Sequence, residues 1–97
     1  MKDIEIYIAL FNKFVYKYQK HGLNLIFSED QARHRWHGAA LWDNPPWVQK
    51  MATGHRAVIA EASAGTWEEC VEELDRLLDM WFKGHPEIER SLNNEQN

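Results

Sequence analysis

The sequence predicts an α+β domain in the order helix, strand, strand, strand, helix. Two observations carry that prediction: residues 3–20 and 66–84 each repeat apolar side chains at helical spacing, and residues 23–63 hold three runs of strand formers separated by turn residues. Two helices with one apolar stripe each need a common surface. A three-stranded antiparallel sheet with both long amphipathic helices packed on one face supplies it, giving α-β-β-β-α. A chain of 97 residues is one domain, expected over 1–92 with 93–97 as a frayed tail, because a second domain would leave neither with an adequate core. At this length a homodimer is a further option for adding buried surface.

The first helix places Ile4, Ile8, Phe11, Val15 and Tyr18 at spacings of four, three, four and three, with Tyr7 and Phe14 widening the stripe. Asp3 and Glu5 suit its positive end and Lys13, Lys17 and Lys20 its negative end, before His21-Gly22 stops it. "LNLIF" (23–27) alternates as a strand does, "SEDQ" (28–31) is the expected turn, and "RHRWHGAALW" (33–42) is the second strand. Ser28 with Gln31 also matches a capping box, so a helix over 29–41 competes with that strand; Gly38 and the two Trp favour the strand. "DNPPW" (43–47) breaks regular structure, since each Pro lacks an N–H and restricts its predecessor. Asn44, Pro45 and Gly54 could enclose a short helix carrying Trp47, Val48 and Met51. "HRAVIAEAS" (55–63) is the third strand. Thr66 then caps the last helix, with Glu69 completing the box, and Trp67, Cys70, Val71, Leu74, Leu77, Leu78, Trp81 and Phe82 hold one face. Gly84 and Pro86 end it, and "PEIERSL" (86–92) adds about a turn.

Composition narrows the classes. An apolar fraction of 44% with five Trp marks a globular chain, and no apolar run approaches the roughly 18 residues of a membrane span. Asp3 and Glu5 inside the first apolar stretch argue against a signal peptide, so a cytoplasmic protein with no membrane partner is expected. Cys70 stands alone and can form neither an internal disulfide nor a cysteine-based zinc site. The net charge of −4 is unevenly spread: residues 1–42 hold six Lys or Arg against four acids, and residues 43–97 hold five against eleven. A phosphate-gripping face is usually basic; the second half of this chain concentrates acid.

The stretch "VIAEASAGTWEEC" (58–70) resembles the closing strand, small-residue turn and second helix of the double-stranded-RNA-binding domain, and the element order of the whole chain fits that topology. That family holds phosphates with lysines at the start of its second helix, where this sequence has Trp67, Glu68 and Glu69. The resemblance therefore implies the topology and not the RNA contact. The same stretch, within residues 58–82, is similar to the strand-to-helix unit of HicB-type antitoxins, in which a Gly, a Thr cap and paired Glu also occur.

Glu68, Glu72, Asp75 and Asp79 recur at spacings of four, three and four on the last helix, a carboxylate stripe roughly 16 Å long. Like charges at i, i+4 cost a few tenths of a kcal/mol each, so helix stability does not call for all of them. Three accounts of the stripe are open: solvation of an exposed face, neutralisation by Lys13, Lys17 and Lys20 of the first helix, and docking on a basic partner. Trp47, beside "NPP", adds a candidate apolar contact. The opposite reading uses Lys13, Lys17, Lys20, Arg33, Arg35 and Trp36 as a direct nucleic-acid interface. His34 and His37 would pair on a metal only in a helix, so neither a metal nor any cofactor is expected. Cys70 lies in the apolar stripe and is expected to be buried and inert. With no phosphate-cradling glycine loop, nucleophile elbow or paired catalytic carboxylates, the expected function is non-catalytic: the acidic helix engages a basic protein surface, such as a nucleic-acid-binding host complex. Short acidic chains of this profile include phage and mobile-element inhibitors such as anti-CRISPR proteins. An antitoxin-like partner of a small toxin, or the nucleic-acid-binding module, is the alternative.

Overall fold

The computed structural model describes residues 2–45 and 56–95. Its elements are a first helix, α1, built from Lys2–Leu10, a wide π turn at Phe11–Val15, Tyr16–Tyr18 and a closing 3-10 turn at Gln19–His21, followed by β1 (Leu23–Asp30), β2 (Arg35–Asp43), β3 (Arg56–Ala64), α2 (Trp67–Gly84) and α3 (Pro86–Glu95). The strands form one antiparallel sheet in the order β1-β2-β3. Both long helices pack on the same face: α2 crosses β3 and β2, and α1 lies beside α2 with its π turn over β1. The α+β architecture read from the sequence is the one observed.

The register explains which side chains are inside. Leu23 pairs with Trp42, Leu25 with Ala40, Phe27 with Gly38, and Gly38 in turn with Ala62, so alternate residues of all three strands face the helices. Trp36 and Trp42, six apart on β2, both join the core, as strand alternation requires. Ala40, Ala62 and Gly38 keep the centre of the sheet low, which lets Cys70, Val71, Leu74 and Leu78 of α2 settle onto it fully buried. Gly38 has no room for a side chain: a Cβ there would lie 2.6 Å from the Phe27 ring and 3.1 Å from Cys70 Sγ. Between Ala40 and Leu41 the pairing slips by one residue on β3. Ile59 is the extra residue, and the bulge lets both Ile59 and Ala60 pack toward the core.

Three expectations about local structure are corrected. The stripe of α1 is rotated: Leu10, Phe14, Val15 and Tyr18 are buried, Ile6 and Tyr7 pack against them, and Ile4 and Ile8 remain about half exposed. Leu10, Phe14 and Tyr18 are four residues apart, a spacing that drifts by about 40° per step around a regular helix. The π turn at Phe11–Val15 widens the helix there and keeps all three facing inward. The turn between β1 and β2 is Gln31–His34 instead of 28–31; it is closed by Arg33 N–H to the Asp30 carbonyl at 3.3 Å and by His34 in the left-handed region at φ 52°. Residues 29–41 are therefore hairpin, not helix. α3 is also longer than the single turn expected, reaching Glu95. The short helix considered around Trp47 lies outside the described residues.

The end of α1 is tied to the sheet by backbone geometry. Gly22 takes φ 99°, a conformation that favours glycine. Its carbonyl accepts from the Asp43 N–H at 3.0 Å and from Asn24 Nδ2 at 3.1 Å. Asp43 accepts from Asn24 Nδ2 at 2.9 Å and from Arg56 Nε at 2.7 Å, linking all three strands at one end. Next to this joint Trp42, wholly buried, donates its indole N–H to the His21 carbonyl at 2.6 Å.

Two substitutions test this packing by denaturant unfolding. Gly38→Ala is expected to cost about 1–3 kcal/mol, the range for forcing a methyl into a filled core. Trp42→Phe keeps the apolar body but strands the His21 carbonyl, at about 1–3 kcal/mol. Wild-type stability in either variant would show that the contact is loose.

Candidate interaction surface

α2 starts as its sequence predicts. Thr66 is extended (φ −128°, ψ 158°), its hydroxyl oxygen accepts from the Glu69 N–H at 3.1 Å, and the hydroxyl donates to Glu69 Oε1 at 2.9 Å. This variant of the capping box has the acid bonded to the cap side chain instead of the cap N–H. With Cys70, Val71, Leu74, Leu78 and Phe82 turned to the sheet, the helical period places the carboxylates on the flanks and outer face.

The four stripe residues do not share one environment. Lys13 of α1 reaches across to the C-terminal half, donating to Asp79 at 2.7 Å and to Asp75 at 3.5 Å. Hydrogen bonding to Asp79, with the charge of Asp75 adding, holds the Lys13 ammonium above the usual lysine range against a lowering effect of burial. Of the three readings of the stripe, neutralisation within the monomer thus applies to Asp75 and Asp79. Lys17 turns instead to Glu89 of α3 at 2.9 Å. Lys20 is exposed and contacts no stripe residue. Glu68 is half-buried and Glu72 exposed at the N-terminal half.

Glu72 belongs to a second grouping. A concavity of about 450 Å³ lies where the first turns of α2 meet β3, lined by Glu61 and Ser63 from the strand and by Glu69, Glu72 and Glu73 from the helix. β3 is an edge strand, with β2 on one side and no strand on the other among the described residues. Arg76 is paired within this region, its guanidinium donating to both oxygens of Glu73, which holds the Glu73 carboxyl below the usual carboxylate range. The acid that sequence reasoning missed is Glu61. Its signal was present in the alternation of 55–63, which puts Glu61 and Ser63 on the face opposite Ala60 and Ala62, but the spacing could not place that strand beside α2.

The basic residues read as a nucleic-acid interface are dispersed. Lys13 and Lys17 are engaged by acids of α2 and α3. Arg33 lies 3.8 Å from Asp30 in the hairpin, and Arg35 donates to Ser63 at 3.1 Å. Trp36 packs against the core. Trp47 lies outside the described residues. His37 sits 3.9 Å from Asp30 while His34 is in the turn, and no group of three metal-ligating side chains occurs among the described residues. Cys70 is fully buried, its Sγ 3.7 Å from the Ala62 carbonyl, and burial pushes its thiol up. Among the described residues no helix is long and apolar enough to cross a membrane.

Comparison with protein-family models, curated proteins and solved structures returns no significant match.

The ion pair of Lys17 with Glu89 has a pH signature. The bond to Lys17 lowers the Glu89 carboxyl below its ordinary 4.5, so its stabilisation is complete above that value and is lost as pH falls through the lowered one. Lys17 is raised above 10.5 by the same bond, so on the alkaline side the contribution disappears only as pH rises through that higher value. Glu89→Gln is expected to cost about 0.2–1 kcal/mol at neutral pH, as for other partly exposed pairs. The gap from wild type should close well below pH 4.5. Urea midpoints at the two pH values check this, and a gap independent of pH would assign the loss to packing.

Proposed function

We propose that this protein is a non-catalytic interaction module that receives a basic segment of a macromolecular partner on the acidic surface formed by α2 and the edge of β3. The observation that carries the reading is the convergence of Glu61, Glu69 and Glu72 from two elements on one concavity, beside Glu73, which is already paired with Arg76. Carboxylates brought together in this way repel one another, and a partner's lysines and arginines relieve that repulsion on docking. The edge of β3, unpaired among the described residues, offers backbone donors and acceptors to an extended segment, so main-chain pairing supplies affinity while the glutamates select for basic side chains. Asp75 and Asp79, already held by Lys13, contribute less than the sequence stripe suggests.

Proteins that hold nucleic-acid phosphates carry the cationic surfaces such a patch fits. An inhibitor of nucleic-acid machinery, acting as anti-CRISPR proteins do, is the functional class this reading favours.

The experiment is a fluorescence-anisotropy titration of the full chain with a lysine- and arginine-rich peptide and with single-stranded RNA, over a range of salt. The expected result is salt-sensitive binding of the peptide, weakened by about tenfold or more in Glu61→Lys/Glu72→Lys, with Asp79→Asn close to wild type. Equal peptide binding by wild type and the double variant, or binding of RNA in place of the peptide, would overturn the proposal.

A further inference from the structure

The two edges of the sheet differ in chemistry. Beside β3 stand Glu61 of the strand and Glu69 and Glu72 of α2, so a second copy of the chain meeting that edge would set carboxylate against carboxylate. β1, at the opposite edge, has none of the devices by which edges are normally closed to further strands. It pairs with β2 residue for residue from Leu23 to Asp30, with no bulge. It contains no Pro or Lys and is uncharged from Leu23 to Ser28. Among the described residues no strand lies on its outer side, so alternate N–H and C=O groups of β1 point outward from the sheet.

Apolar side chains border this edge on both faces. Ile26, on the face of the sheet away from the helices, is 47% exposed. On the helix side, Lys13 of α1 turns to α2, and helical spacing puts Ile4 and Ile8 on the flank away from it, the β1 side of the molecule; they are 48% and 49% exposed. Three of the six large apolar side chains left exposed among the described residues thus gather along one strand edge, whereas single exposed apolar residues need no partner. The ends of the strand carry opposite charge. β1 follows Lys20 and runs out to Glu29, both exposed and in no ion pair among the described residues.

We propose that a second copy of this chain adds to the β1 edge, joining two three-stranded sheets into one of six strands. A two-fold axis near Ile26 runs the two copies of β1 antiparallel, the self-complementary arrangement that a symmetric dimer requires. Main-chain hydrogen bonds cross the axis, Ile26 meets Ile26 of the second copy, and Ile4 and Ile8 of one α1 approach those of the other. The antiparallel direction brings Glu29 of each strand toward Lys20 of the other copy, so the charge complementarity of the two ends is used twice. A domain of this size gains proportionately from the added apolar burial. The acidic concavities beside β3 stay open at the two far edges of the joined sheet.

The test is sedimentation equilibrium of the full chain over a range of concentrations. A reversible dimer of twice the 11.5 kDa chain mass is expected. Ile26→Lys, which sets two ammonium groups at the axis, should keep the circular dichroism spectrum of wild type and raise the dimer dissociation constant by about tenfold or more. Val58→Lys, on the same face but on the strand at the other edge, should leave it unchanged. Lys20→Glu and Glu29→Lys should each weaken the dimer, and the double variant should restore it, a recovery that loss of local structure at either residue does not produce. Binding of a basic peptide at the acidic concavity is a separate readout that Ile26→Lys leaves intact. A monomer at every concentration, a dimer that Ile26→Lys does not weaken or that Val58→Lys weakens equally, or no recovery in the double variant would overturn the proposal.

Discussion

The indole of Trp42 is the contact on which the remaining structure depends. It is buried at the end of the central strand, its N–H is bonded to the last turn of α1 through the His21 carbonyl, and its ring meets Tyr18 of α1 and Trp81 and Phe82 of α2 at centroid distances of 5.9, 6.3 and 6.3 Å. One side chain thus touches all three layers that have to be assembled: sheet, first helix and second helix. Phe82 extends the cluster by stacking with Phe14 and Tyr18. Aromatic pairs at these separations add roughly 0.5–1.5 kcal/mol each beyond burial. In a domain of this size such increments are large beside the net stability.

That joint decides the distribution of charge. By holding α1 alongside α2 it keeps Lys13 within reach of Asp75 and Asp79, while α3, turning back after α2, gives Lys17 a partner in Glu89. One end of the acidic helix is thereby neutralised internally. The other end, over β3, keeps a concentration of glutamates to which Glu61 is added from the sheet. The negative charge that looks uniform along the sequence is polarised in the fold, and the acidic surface left by internal pairing is shorter and broader than the row of four residues suggests.

The legible and illegible parts of this arrangement separate along physical lines. α2 could be read residue by residue because capping, an apolar stripe and a glycine stop all agree within a single element. α1 could be recognised as a helix but not oriented, because its inward residues follow a period of four that only the π turn accommodates. Ile4 and Ile8 fit the regular period as well as Leu10 and Phe14 do, and local spacing cannot choose between them. In the hairpin, the turn chemistry of Ser28 to Gln31 competed with that of Gln31 to His34, and cross-strand pairing of Asp30 with Arg35 won. The candidate surface was half visible: the helical carboxylates follow from periodicity, whereas the pairing of Lys13 depends on packing between helices at opposite ends of the chain, and the arrival of Glu61 depends on the angle at which α2 folds back along β3.

The measurement that bears most directly on this account is amide and indole hydrogen exchange at Trp42. If the aromatic joint holds the layers together, the Trp42 indole proton exchanges only when the whole domain unfolds, with a protection free energy equal to the global stability from denaturant titration. Exchange near the unprotected rate while the core strands stay protected would contradict it, showing that α1 separates from the sheet without global unfolding.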